Sequence, residues 1–343
     1  MKQALSNFNI EELEALLAEY GGPKFRAGQL FKWIHAAAPF EAMSNLPKSL
    51  TAELSQKYVA TGVEIIKKLE SRDGTAKYLF RLADGNIVEG VLMRYKYGNT
   101  LCVSTQVGCR MACAFCASGI GGLVRNMTAG EILGEILEVN REQGGNAEKR
   151  EITNVVLMGS GEPLDNYGEV AKFIRLVNDG GGINISQRNI SLSTCGITEN
   201  IYRLADDGFQ VTLTISLHAP DDETRKEIMP TANKYGVNDI IKAAKYYFDK
   251  TGRRIIFEYA LIDGVNDGES NMNALAKLLK GLPCHVNLIR LNYVKEKGLK
   301  PSENAAKALE ILKSSGISAT IRRIVGSDIS GACGQLRRSY KND

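Results

Sequence analysis

From about residue 96 onward, short apolar, β-branched segments alternate with helix-like stretches, and this rhythm narrows the fold more than any other property of the chain. The strand-like segments cover 100–107, 153–159, 189–194, 211–217, 255–261, 285–291 and 317–325. The helix-like stretches between them cover 128–143, 167–178, 198–206, 222–228, 238–250, 269–280 and 302–315. Strand-then-helix repetition predicts parallel strands joined by crossover helices. Six or seven such units suit a full or partial TIM-type barrel better than a doubly wound sheet, although periodicity alone does not separate the two. The fold class is read as α/β, a partial TIM-type (β/α)6 barrel. Reactive groups in such barrels sit at the C-terminal ends of the strands. Gly159-Ser160-Gly161-Glu162, Ser193-Thr194, Ser216, His218, Asn292 and the 326–333 loop should therefore face one common mouth.

The N-terminal part has a different texture. Asn9 and Glu12 make a capping-box pattern, and Leu13, Leu16, Leu17 and Tyr20 recur at helical spacing before Gly21-Gly22-Pro23. A second helical stretch runs from Phe25 to Ala37, and a third follows Pro47. Asp-Gly turns at Asp73-Gly74 and Asp84-Gly85 then flank β-like segments around Tyr78-Leu79-Phe80 and Ile87 to Tyr95. Three regions are expected. Residues 1–94 form a helical accessory domain with a linking hairpin, 95–326 the barrel, and 327–343 a C-terminal loop and basic tail.

Composition excludes several classes. With 44% apolar and 24% charged residues, disorder, collagen and coiled coil do not fit. No apolar run reaches the roughly 18 residues a membrane helix needs, and the N-terminus meets acidic residues where a signal peptide needs an apolar core. A cytoplasmic protein is the default. The formal charge of +4 does not by itself announce a polyanion partner, but Arg322, Arg323, Arg337, Arg338 and Lys341 face only Asp328 and Asp343 in the last 25 residues. A locally biased solvated surface is the alternative.

Of seven cysteines, Cys102, Cys109, Cys113 and Cys116 fall within 15 residues, which points to metal or redox chemistry in a reducing compartment. Cys109, Cys113 and Cys116 form C-x3-C-x2-C on a loop after the first barrel strand, with Phe115 before the last cysteine. Zinc would need a fourth ligand from elsewhere. A [4Fe-4S] cluster held by three cysteines keeps one iron open. Gly159-Ser160-Gly161-Glu162-Pro163 follows a strand, where glycine admits a ligand to the backbone and Glu162 could accept from an ammonium group. Cys195 and Cys284 lie in or beside strands and read as small buried apolar residues.

The cysteine spacing resembles the signature of radical S-adenosylmethionine (SAM) enzymes, in which SAM binds the open iron and is cleaved to a 5′-deoxyadenosyl radical. NTLCVSTQVGCRMACAFCASGIGGLVRNMTAGEI, GSGEPLDN, SLSTCG, ISLHAP, HVNLIRLNYV and DISGACGQLRR resemble the RlmN/Cfr family of radical SAM RNA methyltransferases. The GEPL text leans toward the RlmN branch, which methylates carbon 2 of adenine in 23S rRNA and tRNA. The carbon-8 Cfr branch tends to have GEAL. Ser160, Cys195 and Gly331 depart from the usual motifs without removing a proposed reactive atom.

The resemblance implies roles residue by residue. Cys109, Cys113 and Cys116 would hold the [4Fe-4S] cluster. Gly161, Glu162, Ser193, Ser216, Leu217, His218 and Asn292 would bind SAM. Cys333 would take a methyl from one SAM and, after hydrogen abstraction by the radical from a second, add its methylene to the adenine. Cys102 would displace Cys333 as a transient disulfide, and Glu89 would accept the ring proton. The sequence adds independently that Ile87, Glu89, Val91 and Met93 share one strand face, where an apolar setting could raise the carboxyl pKa. Val88 and Leu92 make the other face equally apolar, so an exposed edge carboxylate is the alternative.

The implied partners are 23S rRNA and tRNA, gripped by the basic tail, Arg125 and the N-terminal domain, together with an external electron donor such as flavodoxin. No membrane is expected, and a monomer is the default. Two other readings stay open: a radical SAM enzyme with a non-RNA substrate, and a zinc-stabilised RNA-binding adaptor without catalysis.

Overall fold

The computed structural model describes residues 2–292 and 294–336. Its first helix begins with the reciprocal cap that the sequence predicts. Asn9 Oδ1 accepts from Glu12 N–H at 2.7 Å, and Glu12 Oε2 accepts from Asn9 N–H at 2.8 Å. Helices α1 (Ile10–Glu19), α2 (Phe25–His35) and α3 (Lys48–Lys57) follow. Leu13, Leu17, Leu30 and Phe31 from these helices are buried in the same core as the barrel side chains.

His35 fastens this helical unit to the barrel. Its Nδ1 accepts from Ile183 N–H at 3.1 Å, which fixes the neutral ring with its proton on Nε2. The approach is so close that a Cβ on Gly182 would lie 2.4 Å from that nitrogen. Burial holds the His35 pKa down at about 3. Between that value and the unfolded value of about 6.5 the unfolded chain binds a proton that the native one refuses, so stability falls as pH drops through this window. Urea midpoints should show His35→Gln losing about 1.4 kcal/mol less per pH unit than the parent between pH 6 and 5. Equal slopes would mean that His35 is charged in the native state.

Ten strands make one mixed sheet. They are β1 (Val63–Glu70), β2 (Ala76–Leu82), β3 (Ile87–Tyr95), β4 (Gly98–Cys102), β5 (Asn154–Leu157), β6 (Ile190–Thr194), β7 (Thr212–Ser216), β8 (Ile255–Leu261), β9 (Cys284–Arg290) and β10 (Ala319–Ile321). They lie side by side in chain order, from β10 at one edge to β1 at the other. Strands β4 to β10 run parallel, whereas β1 to β4 pair antiparallel. Crossover helices α4 (Ala129–Glu142), α5 (Tyr167–Asn178), α6 (Thr198–Asp206), α7 (Asp222–Ile228), α8 (Val237–Thr251), α9 (Glu269–Leu279) and α10 (Ala305–Ser314) join the parallel strands. This is the partial α/β barrel that the alternation predicts.

The segment before the barrel differs from the expected hairpin. Residues 63–70 form a further strand, so β1, β2 and β3 make a three-stranded antiparallel extension continuous with the barrel sheet. Charged Glu64, Lys67, Lys68 and Glu70 and a register shift between Ile65 and Lys67 disguise the alternation of β1. Both faces of β3 are covered. Val88 and Leu92 join the main core, while Val91 and Met93 pack with Cys102 and Leu336 in a small separate cluster.

Candidate active site

The strand ends converge on one cavity. Its wall includes Cys109, Cys113, Cys116, Gly161, Glu162, Ser193, Ser216, His218, Asn292 and Cys333. Leu217, expected beside them, is fully buried in the main core. A second cavity adjoins the first, lined among others by Tyr95, Cys102, Met158, Arg322 and Cys333. Cys333, Met158, Asn292 and Arg322 therefore border both.

The cysteine loop leaves a two-stranded ribbon, Gln106–Gly108 with Leu123–Asn126, and turns tightly enough for Cys116 N–H to donate to Cys113 O at 3.2 Å. Phe115 sets its ring edge against His218, with centroids 4.8 Å apart. Burial pushes the Cys109 thiol up to about 12, and Cys113 is raised for the same reason. A metal that binds thiolates would reverse this. Among the described residues no three His, Cys, Asp or Glu side chains stand as a group able to hold a metal ion. The three thiols do line one cavity wall together with Glu162, a donor set suited to a polynuclear iron–sulfur cluster with an amino acid-like ligand beside it.

The turn carrying Glu162 depends on glycine. Gly161 has φ +110°, and a Cβ there would lie 2.7 Å from Gln106 Cβ. Glu162 is buried, which raises its pKa, and it organises the backbone around it. Its Oε2 accepts from Cys195 N–H at 2.7 Å and its Oε1 from Leu164 N–H at 3.0 Å. The carboxylate thus braces the ends of β5 and β6 at the cavity wall. His218, at φ +58°, accepts from Ala260 N–H through Nδ1 at 2.9 Å, and burial holds its pKa at about 3. A neutral ring with Nε2–H results.

Arg225 was invisible to sequence patterning. Fully buried, it donates to the carbonyls of Leu217 (3.0 Å), Tyr235 (3.0 Å), Cys195 (2.5 Å) and Ser216 (3.3 Å), tying the ends of β6 and β7 together. Each carbonyl offers a lone pair to a cation that water does not reach. Cys195 and Cys284 are buried, as expected, although Cys195 also reaches the cavity wall.

The loop bearing Cys333 is stitched on three sides. Asn292 Nδ2 donates to Cys333 O at 3.0 Å, Ala117 N–H to Gly334 O at 2.7 Å, and Ser118 Oγ to Leu336 O at 2.8 Å. On the far side the β1–β2 turn clasps the loop. Asp73 Oδ2 accepts from Gly326 N–H at 3.0 Å, Ser71 Oγ donates to Asp328 at 2.6 Å, and Lys77 Nζ donates to Ser330 O at 3.1 Å. Lys77 also pairs with Glu89 at 3.0 Å, both side chains being almost fully buried. Glu89 thus lies within the sheet, which removes the exposed-edge alternative, and it lines neither cavity. Its backbone carbonyl accepts from Ser104 Oγ at 2.8 Å, just past Cys102. Register pairs Val91 with Cys102, whose thiol is raised first by burial and then by the nearby Cys333.

Two basic residues are not arranged as expected. Arg125 donates to Asp84 at 2.6 Å and forks onto Glu131 at 2.8 Å, so its charge is neutralised inside the fold rather than offered to phosphate. Arg322 pairs with buried Glu258 at 3.2 Å and is only 25% exposed. Arg323 is exposed. Arg337, Arg338 and Lys341 lie outside the described residues. Among the described residues no helix is long and apolar enough to cross a membrane.

Comparison with known proteins agrees along the whole chain. Residues 103–276 match the radical SAM superfamily, and residues 3–60 match the ribosomal RNA large subunit methyltransferase N-terminal domain. A probable dual-specificity RNA methyltransferase RlmN from Clostridium perfringens is 53% identical over 99% of this chain and 98% of its own length. The protein of that name from Lachnoclostridium phytofermentans is 50% identical over 96% and 93%. A crystal structure of a radical SAM methyltransferase from Sphaerobacter thermophilus superposes with a TM-score of 0.94 at 43% identity, covering 98% of this chain and 100% of that one.

Proposed function

The chain belongs to the RlmN family of dual-specificity RNA methyltransferases within the radical SAM superfamily, and from that membership we propose that it methylates carbon 2 of an adenosine in 23S rRNA and in tRNA through Cys333. One observation supports this reading above the others: Cys333 borders both cavities, with the three thiols and Glu162 on one side and Cys102 on the other. Carbon 2 of adenine is electron-poor and cannot attack a methyl sulfonium, so the protein must supply a carbon already activated on its own sulfur.

The residues fit a [4Fe-4S] cluster on Cys109, Cys113 and Cys116 with SAM against Gly161, Glu162, Ser193, Ser216, His218 and Asn292. When bound and reduced from outside by a donor such as flavodoxin, they supply a methyl group from one SAM and a hydrogen-abstracting carbon radical from a second. Everything else falls to this chain. Cys333, as a thiolate, accepts the methyl and presents that carbon to the base. Asn292 fixes the Cys333 carbonyl and so aims the sulfur. Glu89, on the Cys102 side of β3, takes the ring proton as the one electron left over from the radical addition returns to the external carrier, and Lys77 orients its carboxylate. Cys102, as a thiolate, then attacks the Cys333 sulfur. An S–S bond forms, the carbon–sulfur bond breaks, and the released carbon keeps the electron pair and takes a proton to become the product methyl.

The test is incubation of the anaerobically purified protein with labelled SAM, a low-potential reductant and unmodified ribosomal RNA and tRNA, followed by nucleoside analysis. Iron with sulfide and label at adenine carbon 2 are expected. Label at carbon 8 would transfer the protein to the Cfr branch, and RNA without label would overturn the reading.

A further inference from the structure

Beside the second cavity lies a feature that the reaction as described leaves unused. The rings of Tyr95 and Tyr97 stack in parallel, with centroids 5.0 Å apart and an interplanar angle of 7°. Tyr95 closes β3 and lines the cavity that holds Cys102 and Cys333. Tyr97 lies in the turn before β4 and is 73% exposed. The pair is therefore an aromatic column rooted at the reactive sulfurs and open to solvent at its outer end. An exposed aromatic face backed by a second ring offers a flat apolar surface on which another π-system can stack.

The charge around the column tells what fits. Arg290 and Arg323, both solvent-exposed, line the same cavity, and among the described residues no carboxylate does. The Tyr95 hydroxyl lies within electrostatic reach of Arg322 and Arg323. A flat, π-rich group carrying negative charge on a flexible backbone matches this surface, which describes a nucleotide of single-stranded RNA. A base that is pulled from its stack to reach Cys333 leaves its neighbour without a stacking partner.

We propose that Tyr97, braced by Tyr95, is the stacking platform for the nucleobase adjoining the target adenosine, and that Arg323 and Arg290 hold the phosphates on either side of that base. This rests on the RNA methyltransferase reading and adds to it a residue that determines substrate binding. Stacking replaces the contact that the neighbour loses when the adenosine flips out, so the cost of flipping is offset at the site of chemistry. Stacking on one ring is sequence-tolerant, which suits an enzyme acting on two kinds of RNA.

The experiment compares Tyr97→Ala, Tyr97→Trp and Arg323→Gln with the parent holoenzyme, using unmodified tRNA and a 23S rRNA fragment as probes. Because Tyr97 is exposed, all three are expected to melt with the parent. Tyr97→Ala should weaken RNA binding and raise KM by roughly tenfold, with the salt dependence of binding unchanged. Tyr97→Trp should restore affinity to within about twofold of the parent, since a larger ring stacks at least as well. Arg323→Gln should instead lower the slope of log affinity against log salt by about 0.7 to 0.9, the signature of one lost phosphate contact. Tyr97→Ala binding within about twofold of the parent, or tryptophan binding no better than alanine, would overturn the platform. A parent protein that methylates no RNA would overturn the function reading itself, so the two failures are distinguishable.

Discussion

Cys333→Ala should lose RNA methylation by a factor of at least about 10³ while keeping the parent's iron and sulfide, because on the proposed route it removes the atom that carries the transferred carbon. Loss of a nucleophile is not compensated by the remaining contacts, since adenine carbon 2 has no alternative polar route to a methyl group. Cys333 is partly exposed, and the bonds that hold its loop run through backbone atoms of Cys333, Gly334 and Leu336, so the alanine variant should fold and melt with the parent. Nucleoside analysis after incubation with labelled SAM reads the RNA, and the same label on protein reads the methylated sulfur. Parent and variant should differ in both. Methylated RNA from the alanine variant would mean that the carbon reaches the base without passing through this sulfur.

Cys102→Ala should fail in the opposite manner. Methylene transfer to RNA can proceed, but no thiol is left to attack the Cys333 sulfur, so protein and RNA remain covalently joined. Multiple turnover should stop after about one event per chain, a loss of two or more orders of magnitude over a long incubation. A denaturing gel should show a band of protein carrying RNA that thiols do not release. Cys333→Ala combined with Cys102→Ala should abolish that band, which orders the two cysteines in time. Burial and the neighbouring Cys333 both hold the Cys102 thiol up, so release in the parent is expected to accelerate as pH rises. A Cys102→Ala variant that turns over freely would assign release to another nucleophile.

Much of this architecture was legible in the sequence because its signals are local. A crossover helix announces itself over a dozen residues, and 167–178, 198–206 and 222–228 coincide with α5, α6 and α7. The three closely spaced cysteines likewise needed no tertiary information to be singled out. What escaped depends on partners far apart in the chain. Arg225 sits in an ordinary run of charged residues, and only folding brings four carbonyls from two strand ends and a loop around it. Arg125 reads as a free cation until Asp84, 41 residues earlier, folds against it. Strand β1 does not announce itself because its lysines and glutamates belong to a sheet extension with one face toward water, where alternation is blurred by the bulge. Resemblance places Asn292 on the cofactor wall, and nothing local announces that its amide also holds the Cys333 carbonyl.

The stitching of the C-terminal segment has a thermodynamic consequence. Ala117 and Ser118, directly after Cys116, hold Gly334 and Leu336, one and three residues after Cys333, so the loop of Cys109, Cys113 and Cys116 and the loop of Cys333 cannot fray independently. They belong to one cooperative unit of local opening. Whatever rigidifies the first lowers the entropy cost of ordering the second, and by reciprocity a substrate that pins the second tightens the first. The loop of Cys333 is thereby coupled to the occupancy of the loop of Cys109, Cys113 and Cys116, without any additional hinge or relay.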